Sequence, residues 1–360
     1  MWIIFRFDNH TGVIAQQLEY NDDCRCPDIR HQIRSLRLQS QIGAAVWATC
    51  IGRDRRIDRD VAIVLPETLI RDRAISGDPN TSVEKIMKIT AKADNDRFQS
   101  GAKQYANYLE TPEGRLRSDL TFANLQDFLP SQFKPSLRAL DLGCGTGATA
   151  ICLARLGIHV TLLDSSSEML DIAKRAAQEA GITDQVIVQY GDATQLADML
   201  PTRSFDVILC HNILEYCDDP GAVLRGAACA LRDSSAILSV LVRNQAGEVL
   251  KAAIQAGDLA AAENSLTAEW GKESLYKGSV RLFTPDSLRA ILTKALLATI
   301  AERGVRAIAD YLPPQISRSA DYERIFALER KLGNRPEYAA IARYAHYLAR
   351  CPSLVAEDGG

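Results

Sequence analysis

Near its middle the chain reads Asp141-Leu-Gly143-Cys144-Gly145-Thr-Gly147, at the end of an apolar run and directly before a helical pattern. Glycines spaced this way let the backbone turn sharply and let a ligand approach with no Cβ in the way. A carboxylate, Asp141, stands two residues before the first glycine. Asp164 ends the next apolar run, HVTLLD, 23 residues later, where a strand-end acid suits the two ribose hydroxyls of a nucleoside. Gly191-Asp192-Ala193 ends the third run, and Asp192 there can accept from the exocyclic amine of an adenine. Each acid alone has a plainer reading, Asp164 as a helix cap and Asp192 as a turn residue. Three acids at three consecutive strand ends favour one nucleoside site. A fourth run, FDVILC, leads into His211-Asn212. His211 is a candidate base, cofactor contact or substrate contact, with structural packing as the alternative.

The elements that must position these residues alternate. Residues 137–142, 159–164, 185–190, 205–210 and 236–242 read as strands, and 148–156, 167–180 and 222–231 as helices. Strand–helix–strand repetition implies βαβ units and a parallel sheet. The segments 304–312 and 342–350 alternate like two last strands, with an amphipathic helix at 321–332 between them. A helical cover is expected at 245–262, with Asn244 at its entrance. The expected fold is α/β and Rossmann-like: a seven-stranded, mostly parallel sheet with helices on both faces.

With 360 residues, 47% hydrophobic and 24% charged, the chain is long enough for one or two domains with a sizeable core. Its net charge of -3 points to no global affinity for nucleic acid or membrane, so any RNA-binding surface must be a local patch. No apolar run reaches the roughly 18 residues of a membrane span, and MWIIFRFDNH does not read as a secretory leader. Nine cysteines lack paired zinc spacings; Cys24-x-Cys26 is too tight for the common clip. Reduced thiols, no metal site and a cytoplasmic location are expected. Residues 1–86 hold 11 Arg and one Lys, Lys85. Two short runs there, 44–51 and 61–65, could be strands. The expectation is that the natural start is Met87 and that 1–86 are upstream sequence or a loose extension; a small added domain is the alternative. The division expected is therefore 1–86, a main domain at 87–350 and a tail at 351–360.

The Asp-x-Gly-x-Gly-x-Gly turn resembles the signature of class I S-adenosylmethionine (AdoMet) methyltransferases, whose acid accepts from the ammonium of the methionine moiety. Dinucleotide folds use G-x-G-x-x-G and present a pyrophosphate instead, which disfavours an NAD-linked oxidoreductase. The stretch 97–350 is similar to the bacterial tRNA 5-carboxymethoxyuridine methyltransferases, which methylate the carboxylate of a modified wobble uridine. The resemblance is carried by Thr111-Pro-Glu-Gly114-Arg-Leu116-Arg117, by Gly304-Val305-Arg306 through Asp310-Tyr311-Leu312, by Tyr322-Glu323 and Leu328-Glu329, and by Arg343-Tyr344-Ala-His346 with Arg350. It implies AdoMet as cofactor, with Arg117 on its carboxylate. It places further cofactor contacts at Gly143, Cys144, Asp164, Asp192, Ala193 and His211, to which the glycine turn itself adds Asp141, Gly145 and Gly147. It implies a tRNA partner. From the residues alone, Arg306, Arg343, Tyr344 and His346 form a cluster able to grip phosphate and stack on bases, with an ordinary solvated strand pair with core tyrosines as the alternative. Arg306 or Arg243 is expected on the substrate carboxylate, and His211 and Arg306 are the positioning candidates. The chain departs from that pattern at Cys144, where glycine is frequent, and in a lysine-rich stretch reduced to Lys272, Lys277 and Arg281, which thins the phosphate-binding footprint. Two alternatives stay open: a small-molecule carboxyl or hydroxyl methyltransferase on the same fold, and a non-catalytic AdoMet- or RNA-binding protein.

Overall fold

The computed structural model of the protein describes residues 2–8, 12–18, 63–66, 97–130, 137–273, 275–276 and 278–352. The chain divides into two units, Met1–Lys92 and Ala93–Gly360. In the first unit β1 (Trp2–Asp8) pairs antiparallel with β2 (Gly12–Leu18) and with β3 (Ile63–Pro66). The strand expected at 61–65 overlaps β3. The one expected at 44–51 lies outside the described residues, as do Cys24, Cys26, Lys85, Met87, Lys277 and most of the tail.

The second unit opens with two helices, α1 at 97–109 and α2 (Pro112–Gln126). The alternating part follows: β4 (Arg138–Leu142), α3 (Ala148–Arg155), β5 (His159–Asp164), α4 (Ser167–Glu179), β6 (Val186–Tyr190), α5 (Leu196–Met199), β7 (Val207–His211), α6 (Pro220–Ala230) and β8 (Ile237–Arg243). The cover is α7 (Gln245–Leu250), a π turn (Lys251–Gln255) and α8 (Leu259–Ser265), followed by a hairpin of β9 (Trp270–Glu273) and β10 (Gly278–Arg281). Then come α9 (Pro285–Lys294), β11 (Ala298–Val305), α10 (Tyr322–Gly333), α11 (Pro336–Ala339) and β12 (Tyr344–Arg350).

Seven strands form one sheet in the order β11-β12-β8-β7-β4-β5-β6. The pairs β4–β5, β4–β7, β5–β6 and β7–β8 are parallel, and β12 runs antiparallel to both its neighbours. Central strands buried on both faces read as continuous apolar runs, and their alternate residues serve opposite faces. Leu140 and Leu142 pack with Val223 and Leu224 of α6, while Ala139 packs with Leu153 of α3 and Ala173 of α4. Helix starts follow local chemistry. Ser166 caps α4 by accepting from the Met169 N–H, and Asp219 caps α6 ahead of a proline in its first turn.

One expected strand is misplaced. The segment 304–312 is a strand only to Val305; β11 begins at Ala298. Arg306 takes a left-handed φ of 60°, and a tight 3-10 turn follows at Ala309–Tyr311. Burial does not alternate there, since Gly304 to Ala307, Ala309 and Asp310 are all buried, and beyond Val305 the backbone is held instead by the buried Glu329 carboxylate on α10. That carboxylate accepts the backbone N–H groups of Ala307, Ile308 and Ala309.

Candidate active site

Between β4 and β7 the strand order reverses direction, and in open α/β sheets ligands bind outside the carboxyl ends of the strands at that point. A cavity lies there. Its walls include Tyr105 of α1, Arg117 and Thr121 of α2, Asp141, Gly143, Cys144 and Thr146 after β4, and His211 and Asn212 after β7.

The glycine turn has the backbone its residues permit. Gly143, Gly145 and Gly147 take φ of 60°, 53° and 75°, a region side chains disfavour. A Cβ on Gly143 would sit 2.6 Å from Ile213 Cδ1. Asp164 braces the turn by accepting from Gly145 N–H and Ser166 N–H, each at 2.8 Å. Burial raises its carboxyl against the lowering effect of those bonds. Lone pairs remain on both oxygens for ribose hydroxyls.

Asp141 is buried, and its carboxylate has no hydrogen bond or ion pair among the described residues. Burial, and secondarily the nearby Asp164, push its pKa to about 8. Arg117, equally buried, donates to the Tyr105 hydroxyl at 2.9 Å and lies over the rings of Tyr105, Tyr108 and Tyr344. It too has no carboxylate partner among the described residues. One cavity therefore holds an acid without a cation and a cation without an acid. The α-amino and α-carboxylate groups of an amino-acid moiety complement that pair. These residues fit AdoMet.

The other acid expected at a strand end stands further along the sheet. Asp192 is exposed and accepts from Thr194 N–H at 2.8 Å, while Ala193 beside it is buried. Neither they nor Asp164, Gly145 and Gly147 line that cavity, whose walls among the expected cofactor contacts are Arg117, Asp141, Gly143, Cys144 and His211. Asp192 and Ala193 stand at the end of β6, two strands from β4.

The expected substrate-side arginines converge on one phenol. Tyr344 starts β12 and is surrounded by Arg117, Arg306, Arg243 and Arg343; burial raises its pKa, but these four cations together pull it well below the ordinary phenol range. Arg306 pairs with Asp310 and donates to Tyr108 Oη at 3.1 Å. Arg343 pairs with Glu248 at 2.8 Å, and Arg243 reaches the same carboxylate at 3.2 Å and Glu273 at 3.8 Å. Arg306, Arg243 and Arg343 thus have carboxylates beside them in Asp310, Glu248, Glu273 and Glu215, while Arg117 lines the cavity with no carboxylate partner among the described residues.

His346 departs from its expected place. Its ring is fully buried within the sheet, hydrogen-bonded to Ser239 and Asn124 and edge-on to His211 at 5.7 Å. It has no surface on which to meet a substrate. Two positions along β12 from Tyr344 keep it on the same face of the sheet but move it inward from the strand end. His211 lines the cavity, with Nε2 2.8 Å from Ser239 Oγ. Burial first, then His346 and Arg117, lower its pKa, so the ring is neutral. Sequence reasoning missed Tyr105 and Tyr108, whose spacing of three on a helix was the available signal, and missed Ser239 and Asn124, for which no local signal exists. Among the described residues no cluster of three or more His, Cys, Asp or Glu could hold a metal ion.

Comparison with known proteins agrees with this fold. Residues 139–234 match the family described as methyltransferase domain. The chain is 30% identical over 262 residues to the tRNA 5-carboxymethoxyuridine methyltransferase of Escherichia coli strain K12, covering 71% of this chain and 96% of that protein. Similarity to the ubiquinone biosynthesis O-methyltransferase of Aeromonas salmonicida is 37% over 108 residues, covering 30% of this chain and 44% of that one. The solved structure of a SAM-dependent methyltransferase from Thermotoga maritima superposes with a TM-score of 0.50 at 18% identity, covering 72% of this chain and all of that one. The fold is thereby that of the class I enzymes, and the cofactor of this chain is AdoMet. With near-complete coverage of its E. coli relative, this chain belongs to the tRNA 5-carboxymethoxyuridine methyltransferase family and is an AdoMet-dependent methyltransferase.

Proposed function

We propose that the chain methylates the carboxylate of a modified wobble uridine in tRNA, and that it does so in the cytoplasm, where that substrate is found. The observation that carries this reading is the buried cluster of four arginines around Tyr344, beside the cofactor cavity. Such a shell suits an anionic acceptor, and planar guanidiniums suit a carboxylate. Full-length similarity to the E. coli tRNA enzyme supports the same substrate, because the O-methyltransferase relative matches over only 44% of its own length.

When bound, AdoMet supplies an electrophilic methyl on a sulfonium. The residues of this chain have then to place an oxygen on the methyl–sulfur axis and exclude water, and positioning alone contributes several kcal/mol. A carboxylate is ionised at neutral pH and needs no strong base. The neutral, half-buried His211 fits that requirement. Arg117 holds the carboxylate of the cofactor; Arg306 and Arg243, at the ends of β11 and β8, hold that of the acceptor. RNA contact falls to local features such as Lys272 and Arg281, the latter stacked over Trp270 at 4.7 Å on the hairpin. Among the described residues no helix is long and apolar enough to cross a membrane.

The test is methylation of bulk bacterial tRNA with labelled AdoMet, followed by nucleoside analysis. A labelled methyl ester on the wobble uridine is the expected result. RNA without label, with AdoMet binding intact, would transfer the reading to a small carboxylic acid.

A further inference from the structure

A chain of hydrogen bonds crosses the sheet beneath the cavity. Asn124 Nδ2, on α2, lies 3.3 Å from His346 Nδ1. His346 Nε2 lies 2.8 Å from Ser239 Oγ, and Ser239 Oγ lies 2.8 Å from His211 Nε2. Asn124, Ser239 and His346 are at most 2% exposed, so water does not compete for these groups. The sheet builds the array. His346, Leu241 and His211 are directly opposed on the adjacent strands β12, β8 and β7. Ser239, two residues from Leu241, sits diagonally between the two rings on the same face.

The polarity of the array follows from what each group can offer. An amide nitrogen has only protons to give, so His346 Nδ1 accepts. A neutral His346 then carries its proton on Nε2 and donates to Ser239 Oγ. The hydroxyl has one proton, and with its oxygen already accepting, that proton goes to His211 Nε2. A neutral His211 therefore carries its own proton on Nδ1, the ring nitrogen left to the cavity. Which nitrogen of a histidine is protonated is set by the bond the other one makes.

We infer that Asn124, His346 and Ser239 form a one-way relay that locks His211 as a neutral Nδ1–H donor facing the cofactor cavity. The three are positioning residues; His211 is the group that meets the ligand. Arg117 and His211 line the same cavity, so a carboxylate held there has a guanidinium and an imidazole N–H on its walls. This part rests on the reading of the cavity as the AdoMet site. It also gives His346 a role that its burial denies it at the substrate, and it couples α2, which carries Arg117, to the strand end that carries His211.

Nitrogen-15 histidine spectra of the full chain without cofactor test the relay directly, since the chain has five histidines and ring-nitrogen shifts report the tautomer. The expected result is Nδ1–H for His211 and Nε2–H for His346. Ser239→Ala should abolish the Nδ1–H signature of His211, and Ser239→Thr, which keeps the hydroxyl, should retain it. A wild-type His211 protonated on Nε2, or an unchanged His211 signature in a folded Ser239→Ala, overturns the relay. Calorimetry then tests its use. Ser239→Ala should weaken AdoMet binding about tenfold, the size of one hydrogen bond to a charged group, and Ser239→Thr should restore it. Unchanged affinity in Ser239→Ala overturns the ligand role. Absence of AdoMet binding in the wild-type protein would instead overturn the reading of the cavity, while the tautomer result stands by itself.

Discussion

Glu329 sets the direction of Arg306 without a hydrogen bond to its side chain. The carboxylate on α10 accepts three consecutive backbone N–H groups, at 2.6, 2.9 and 2.6 Å, from the turn that begins at Arg306. That turn keeps a non-glycine residue at φ 60°, a conformation that costs roughly 1–2 kcal/mol and is offset by those bonds. Replacing Glu329 by Gln puts an amide NH2 against at least one of these donors. Glu329→Gln should lower stability by about 2–3 kcal/mol, seen as a lower Tm, and should raise KM for the acceptor more than it lowers kcat. A variant with wild-type Tm would show that the turn holds itself.

Asp141 makes AdoMet binding depend on pH. Its carboxyl has a pKa of about 8 in the protein without cofactor, so near neutrality it is largely protonated and must lose a proton to meet an ammonium. Affinity should rise as pH increases from 6 to 8, with proton release on binding, measured by calorimetry in buffers of different ionisation enthalpy. A flat profile would place the ammonium elsewhere.

The same shift has a consequence for stability, of opposite sign. A carboxyl whose folded pKa lies above its unfolded value favours the fold at low pH. That contribution is full below about pH 4 and is lost as pH rises through about 8. Asp141→Asn should therefore gain stability on the wild type across that window, by a few kcal/mol at its upper end, while losing cofactor binding. Thermal unfolding of both proteins without cofactor at pH 4 and pH 8 measures the crossover, and parallel curves would contradict it.

Arg117 is a buried guanidinium with no carboxylate partner among the described residues. Arg117→Ala should weaken AdoMet about tenfold to a hundredfold, as expected for a charge-assisted pair. Arg117→Lys should recover little of this, because a point charge does not reproduce the fork. Unchanged affinity for the alanine variant would remove Arg117 from the site.

Gly143→Ala tests the turn itself. The added Cβ meets Ile213 Cδ1 at 2.6 Å with φ at 60°, so the loop must shift at a cost of about 1–2 kcal/mol. Cofactor affinity should fall with a smaller change in Tm. Shortening the obstacle in the double variant with Ile213→Val should recover part of the loss; no recovery would assign the effect to backbone conformation alone.

What the sequence by itself determined was set by neighbours along the chain. Parallel strands buried on both faces had to be apolar runs, so β4, β5, β7 and β8 were placed within a residue or two, and HVTLLD was bounded as it stands. The glycine turn and the acids Asp141 and Asp164 were readable because a sharp turn and a strand end are local events. The fate of the C-terminal third was decided only by tertiary structure. The segment after Val305 reads as a strand, but the N–H groups of Ala307 and Ala309 go to a carboxylate on a helix about twenty residues later. His346 reads as one more cationic side chain in an Arg-Tyr-His cluster, yet sheet register turns it inward onto Ser239, 107 positions away. Register and packing between distant segments have no signature in local spacing, because they depend on which strands become neighbours. That pairing separates the residues facing the cofactor from those that only hold them in place.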